Sequence, residues 1–175
     1  MFITKGHDVI DLDLDLLVEI LGVVDTQIAM IEGQISRCPD ADGFGHFDRL
    51  EGIIGLGFVA CQQYINATYG QLATSKGEKR CQVVASPPRH SCGRAFAEIT
   101  DAAANYWKHH DEWRAPENKG HQARTREVIE AFTPSTADYV LSNILHDLAR
   151  PQQPRFSSIL YELTLWRDLR IKATV

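Results

Sequence analysis

The chain has 175 residues, 44% hydrophobic and 23% charged, with a formal net charge of −5 at pH 7. That length and balance fit one ordinary globular domain over 1–175, able to bury a core without disulfides or metal. The negative charge argues against a strongly electrostatic nucleic-acid binder, although a local basic groove is a separate quantity from the total.

The N-terminus, MFITKGHDVIDLDLDLL, has acids where a secretion signal would have a basic stretch, so a cytoplasmic location is expected. The first helix is predicted over Leu12–Ile35. Asp11, Asp13 and Asp15 load its start with the negative charge that suits a helix N-terminus. Leu14, Leu17, Val18, Leu21, Val24, Ile28 and Ile31 then follow the 3-4 spacing of a buried stripe. Cys38-Pro39-Asp40-Ala41-Asp42-Gly43 reads as a loop dense in turn residues.

A second long helix is predicted over Phe47–Gln71. Gly52, Gly55 and Gly57 each weaken a helix interior by about 1 kcal/mol against alanine, so a neighbouring helix is expected to pack closely on them. The longest weakly polar run, Leu50–Cys61, is too short to span a bilayer, and no membrane association is expected. There is no GxxxxGK[ST] phosphate loop. Lys76–Arg89 reads as a basic linker, because Pro87-Pro88 forbids helix through its middle.

Arg94–Trp113 is the most informative segment. At 100° per residue the apolar arc collects Phe96, Ile99, Ala103, Tyr106 and Trp107, and His110 falls inside it. The opposite arc collects Arg94, Glu98, Asp101, Asn105, Lys108, His109 and Glu112. Shorter helices follow over His121–Phe132 and from a Ser135 cap through Leu148. The last contains Ile159, Leu160, Leu163, Trp166 and Leu169. No strand-turn-strand pattern or internal repeat is visible. The expected fold is an all-α bundle of three long and two or three shorter helices, with at least five in total and no sheet of three or more strands.

The candidate chemistry sits on the third helix. Asp101, Asn105 and His109 stack at one-turn intervals on the polar arc, where a carboxylate, an amide and an imidazole could position a substrate and move a proton. A solvated helix face explains the same residues without function. His110 either lines a pocket or is a core histidine held by a hydrogen bond. Tyr106, Trp107 and Trp113 surround these groups and read as core more readily than as a stacking platform. GxSxG, HExxH and paired ExxH motifs are absent, and no cofactor is expected. The four cysteines Cys38, Cys61, Cys81 and Cys92 contain no CxxC pair. They read as buried or loop thiols rather than, with His90, a zinc site.

The segment Ala103-Ala-Asn-Tyr-Trp-Lys-His-His-Asp-Glu-Trp113 resembles the N-x-x-K-H helix of bacterial relatives of the HEPN superfamily. The resemblance implies an all-α bundle, a homodimer, and membership of toxin–antitoxin or phage-defence systems whose active members are metal-independent ribonucleases. It implies His110 as general acid or base, Asn105 orienting the substrate, and Lys108 and His109 contacting phosphate, with Asp101 and Trp107 completing the RNA-binding surface. The position that would carry the family's arginine is Ala104. Two other readings stand beside it: a non-catalytic helical module that binds a protein partner or regulates a neighbour, and a small-molecule bundle with a pocket beside Trp107.

Overall fold

The computed structural model describes residues 2–5, 8–72, 77–112, 120–133 and 137–173. Among them are seven α-helices and one two-stranded sheet, so the all-α bundle holds. Strands β1 (Phe2–Lys5) and β2 (Asp8–Asp11) pair antiparallel, with Ile3 opposite Ile10. This hairpin was not legible in the sequence, because strands of four residues are too short to establish a period.

Asp11 ends β2 and starts helix α1 (Leu12–Ile35), as its Oδ1 accepts from the Leu14 amide at 3.1 Å. Its Oδ2 accepts from the Tyr64 hydroxyl at 2.8 Å and the Arg167 guanidinium at 2.7 Å. One buried carboxylate thereby ties the first helix to the second and the last. The buried stripe of α1 is Leu17, Leu21, Val24, Ile28 and Ile31. Val18, expected in it, is 48% exposed.

Helix α2 (His46–Leu72) is central and packs against α1, against α4 (Phe96–His109) and against α6 (Val140–Ala149). Its glycines divide. A Cβ on Gly55 would lie 2.0 Å from the Trp107 ring, and one on Gly57 would lie 2.3 Å from the Phe156 ring. Gly52 faces open space, so the expectation of a close neighbour fails there. The groove that Gly55 creates is filled by Trp107 itself.

Helix α3 (Arg80–Val84) interrupts the predicted linker. The buried Trp166 of α7 (Leu160–Lys172) donates to the Val83 carbonyl and the Ser86 hydroxyl, each at 3.1 Å, and so ties the last helix to the end of α3. Helix α5 (His121–Glu130) packs on α4. Helix α6 starts at Val140 rather than after Ser135, and its N-terminus is capped from a distance: Glu51 of α2 accepts from the Leu141 and Ser142 amides. Asp25 of α1 does the same for the amides of the 3-10 turn Phe156–Ser158. The long helices therefore fix where the later elements begin. Trp113, Pro116, Pro134, Ser135 and the Lys76 end of the linker lie outside the described residues.

Candidate functional site

Helix α4 is buried from Phe96 to Ala104 and then runs out of the bundle. Phe96, Ala97, Ile99, Ala102, Ala103 and Ala104 are buried, Tyr106 and Trp107 are half-buried, and Lys108, His109 and His110 are exposed. The period of the sequence placed His110 on the apolar arc correctly, but the core ends before that turn. His110 begins a 3-10 turn, His110–Glu112, and its side chain is 40% exposed. Its ring stacks on Tyr106 at 4.9 Å, Nδ1 lies 3.1 Å from the Tyr106 carbonyl, and Nε2 lies 3.1 Å from Asp111. It is not a sealed core histidine.

The polar arc of α4 is solvated at Lys108 and His109 but not at Asp101. Asp101 has a side chain only 14% exposed, and Arg80 of α3 grips it with Nη1 on Oδ2 at 3.0 Å and Nη2 on Oδ1 at 2.5 Å. The Arg80 Nε donates to Asn66 at 2.8 Å, and the Asp101 carboxylate drives the arginine pKa upward. Gln62, buried on α2, donates from Nε2 to Asp101 Oδ1 at 2.7 Å and to Asn105 Oδ1 at 2.9 Å. Its oxygen accepts from the Lys108 ammonium at 2.6 Å, so the carboxylate and the ammonium fix which way the amide points. Asp101, Asn105 and Lys108 thus belong to one network.

The remaining expected site residues stand apart from that network. Asn105 and His110 lie about 140° apart around α4. His109 has its Nδ1 3.3 Å from Glu112 and no bond to the Asp101 cluster. Trp107 serves as an anchor, since its ring lies on Gly55 of α2.

One turn before Asp101, Glu98 is buried, with its carboxylate 3.1 Å from Arg124 of α5 and 3.8 Å from Arg94. The hydrogen bond to Glu98 raises the Arg124 pKa above its ordinary value, with the Cys81 thiol a further contributor. Between α3, α4 and α5 lies a cleft of about 140 Å³. Arg80, Arg124, Glu98, Asp101, Asn105 and Thr125 supply its polar wall, so its two guanidinium groups face two carboxylates, and Val84, Ala102 and Val128 form its apolar floor. Sequence reasoning missed Gln62, Arg80, Arg124 and Glu98 as site members. Gln62 was detectable, being a polar residue among Phe58, Cys61 and Ile65 on the buried face of its helix. The arginines carried no signal that named their partners. Cys81, which lines this cleft, and His90, whose ring meets Phe96 and Phe132, sit in different surroundings; among the described residues no group of His, Cys, Asp or Glu is placed to hold a metal.

A second surface stands out on α1. Leu12, Leu16, Ile20, Val23 and Met30 are each between 41% and 65% exposed. At 100° per residue they fall within an arc of about 80°, beside the buried stripe and along nearly the whole helix. Ile3 and Ile10 of the hairpin, each 54% exposed, add apolar surface just before it. Among the described residues no helix is long and apolar enough to cross a membrane. Compared with models of known families, with curated proteins and with solved structures, the chain matches none.

Proposed function

We propose that this protein is a non-catalytic helical interaction module that works as a two-fold pair of identical chains joined along α1. The exposed stripe Leu12, Leu16, Ile20, Val23 and Met30 carries this reading, because contiguous exposed apolar surface on a globular chain marks an interaction face. The pattern suits a second copy. Leu16, Val23 and Met30 are spaced by seven residues with Val23 at the centre, so a two-fold axis through Val23 sets Leu16 of each chain against Met30 of the other.

Charge selects the antiparallel arrangement. The N-terminal half of α1 carries Asp13, Asp15 and Glu19, and the helix has no Lys or Arg. Parallel pairing would stack acid on acid. Antiparallel pairing sets that half against Gln27, Gln34, a Glu32 already paired with Arg155 and, just beyond the helix, Arg37, and it also opposes the helix dipoles.

Ribonuclease chemistry of the kind the HEPN-like segment implies has less support, because it needs His110 and Asn105 on one substrate and they occupy different faces. Sedimentation velocity tests the proposal. Ten half-exposed side chains, five from each copy, bring a gross gain on the order of 10 kcal/mol against an association cost of about 4–15 kcal/mol. A concentration-dependent dimer is therefore expected between about 10 μM and 1 mM. Val23→Asp should abolish it, while Tyr161→Asp, on the 70% exposed Tyr161 of α7, should not. A wild-type chain that stays monomeric throughout, or a dimer indifferent to Val23→Asp, overturns the reading.

A further inference from the structure

The flank of α1 beside the apolar stripe carries charges that no side chain of the same chain neutralises. Asp15 and Glu19 are exposed, and neither carboxylate has an ion pair or a hydrogen bond among the described residues. They stand one turn apart, a spacing at which like charges repel. At the other end of the helix, Arg37 is exposed and follows the Ser36 C-cap. Its guanidinium folds back over Gly33, with Nη2 3.7 Å from the point where a Cβ on Gly33 would stand. No carboxylate holds that guanidinium, and it donates no hydrogen bond among the described residues.

Helical geometry puts the cation and the acids on one flank. Asp15 and Gly33 are about five whole turns apart, so they share a direction, roughly 80° round the helix from Val23. Glu19 lies on the same side, roughly 40° from Val23. Within one chain the guanidinium and the Asp15 carboxylate are about 27 Å apart along the axis and cannot meet. The midpoint between Asp15 and Gly33 falls at Val24, next to the Val23 that centres the apolar stripe. The charges and the apolar spacing therefore point to the same two-fold axis. About that axis the level of Gly33 faces residue 13 of a second copy, about 3 Å along the helix from Asp15. Asp13 itself lies on the opposite flank, where Gln71 of α2 meets it at 3.4 Å. Asp15 is the acid that Arg37 reaches.

We propose, on the basis of the two-copy pairing along α1, that Asp15 of each chain accepts from Arg37 of the second copy. Two symmetry-related ion pairs then bracket the apolar seam. Exposed pairs of this kind add little raw affinity. Their effect is selective: they favour a second copy of this chain, in one orientation and one register, over other occupants of the stripe. A parallel copy loses both pairs and sets acid on acid.

The test exchanges the charges on the full chain and reads association by sedimentation velocity, with circular dichroism confirming the fold of each variant. Asp15→Arg and Arg37→Asp should each weaken the homodimer about tenfold, because each turns two attractions into two repulsions. Asp15→Arg also makes each chain less negative, so overall repulsion alone would strengthen its dimer. Weakening there is specific to the pair. An equimolar mixture of the two single variants should form a heterodimer about as tightly as the wild type, since every pair is again of opposite charge. The double variant Asp15→Arg/Arg37→Asp should recover the homodimer for the same reason. A dimer that breaks with Val23→Asp but ignores both charge reversals, or a mixture that recovers nothing, overturns the ion pairs and leaves the α1 pairing standing. A wild-type chain that stays monomeric overturns both.

Discussion

Replacing Arg167 with Met should be among the most destabilising single changes in this chain. The Arg167 and Asp11 side chains are 6% and 3% exposed, and Nη1 meets Oδ2 at 2.7 Å. The same carboxylate receives the Tyr64 hydroxyl and caps α1 through the Leu14 amide. The hydrogen bonds from Arg167 to Asp11 and Asp168 outweigh the burial that opposes its charge and drive its pKa upward, while burial pushes the Tyr64 hydroxyl up as well. Both therefore carry their protons at neutral pH. Removing one partner of a buried pair leaves an uncompensated charge and costs about 3–5 kcal/mol, a large share of the 5–15 kcal/mol that holds an ordinary domain. Asp11→Asn isolates the charge, because Asn is as good an N-cap as Asp. Removing both charges together leaves nothing orphaned, so the double variant should lose clearly less than the sum of the singles. Urea unfolding followed by circular dichroism measures all four species. Melting temperatures of the single variants should fall by roughly 6–20 °C. Single losses below about 1 kcal/mol, or strict additivity in the double variant, would refute the view of this triad as a coupled buried knot.

Gly55→Ala should cost on the order of 1–3 kcal/mol, because the new methyl meets the Trp107 ring at 2.0 Å. Gly52→Ala, into open space, should instead gain up to about 1 kcal/mol from helix propensity; thermal melts in which the two glycines behave alike contradict that geometry. His110→Ala should change stability by less than about 1 kcal/mol, since the side chain is 40% exposed and its polar and ring contacts among the described residues are with Tyr106 and Asp111. A larger loss by denaturant titration would restore a core role. The hydrogen bond that Tyr139 donates to Asp42 pushes its pKa up to about 12. Because the folded value lies above the ordinary one of about 10, the contribution is complete below pH ~10 and is lost as pH rises through ~12. A difference titration at 295 nm against Tyr139→Phe should show late ionisation, and Asp42→Asn should bring it back toward the ordinary value.

Most of the architecture was legible because long amphipathic helices write their period into the chain. The bounds Leu12–Ile35 follow from the acids at Asp11–Asp15 and the 3-4 spacing of Leu17 to Ile31. Helix α3 has five residues, too few for a period, and sits in a segment dominated by Pro87-Pro88. The candidate site was half legible. Asp101, Asn105 and Lys108 share one arc, and they share one network. Periodicity gives the face of a residue but not how far along the helix the core extends, which is why His110 emerged exposed. It also says nothing of partners that arrive from other helices. Gln62 is 39 residues from Asp101, Arg80 is 21, and Arg124 is 26 from Glu98. The same limit hid the second apolar stripe of α1, whose Leu12, Leu16 and Val23 look in sequence like further core.

Cysteine cross-linking along α1 tests the central claim, pairing of two chains about Val23, most directly. Under mild oxidation Val23→Cys should form a disulfide with its own copy, since the two-fold axis brings residue 23 of both chains within the Cα separation of about 4.4–6.8 Å that a disulfide requires. A mixture of Leu16→Cys and Met30→Cys chains should cross-link to each other, and neither should cross-link alone. Non-reducing electrophoresis with mass mapping of the joined peptides reads the result, with the native Cys38, Cys81 and Cys92 as internal controls. Self-linking of Leu16→Cys would mean parallel chains. A Val23→Cys protein that stays monomeric, or is joined only through its native cysteines, would contradict the account.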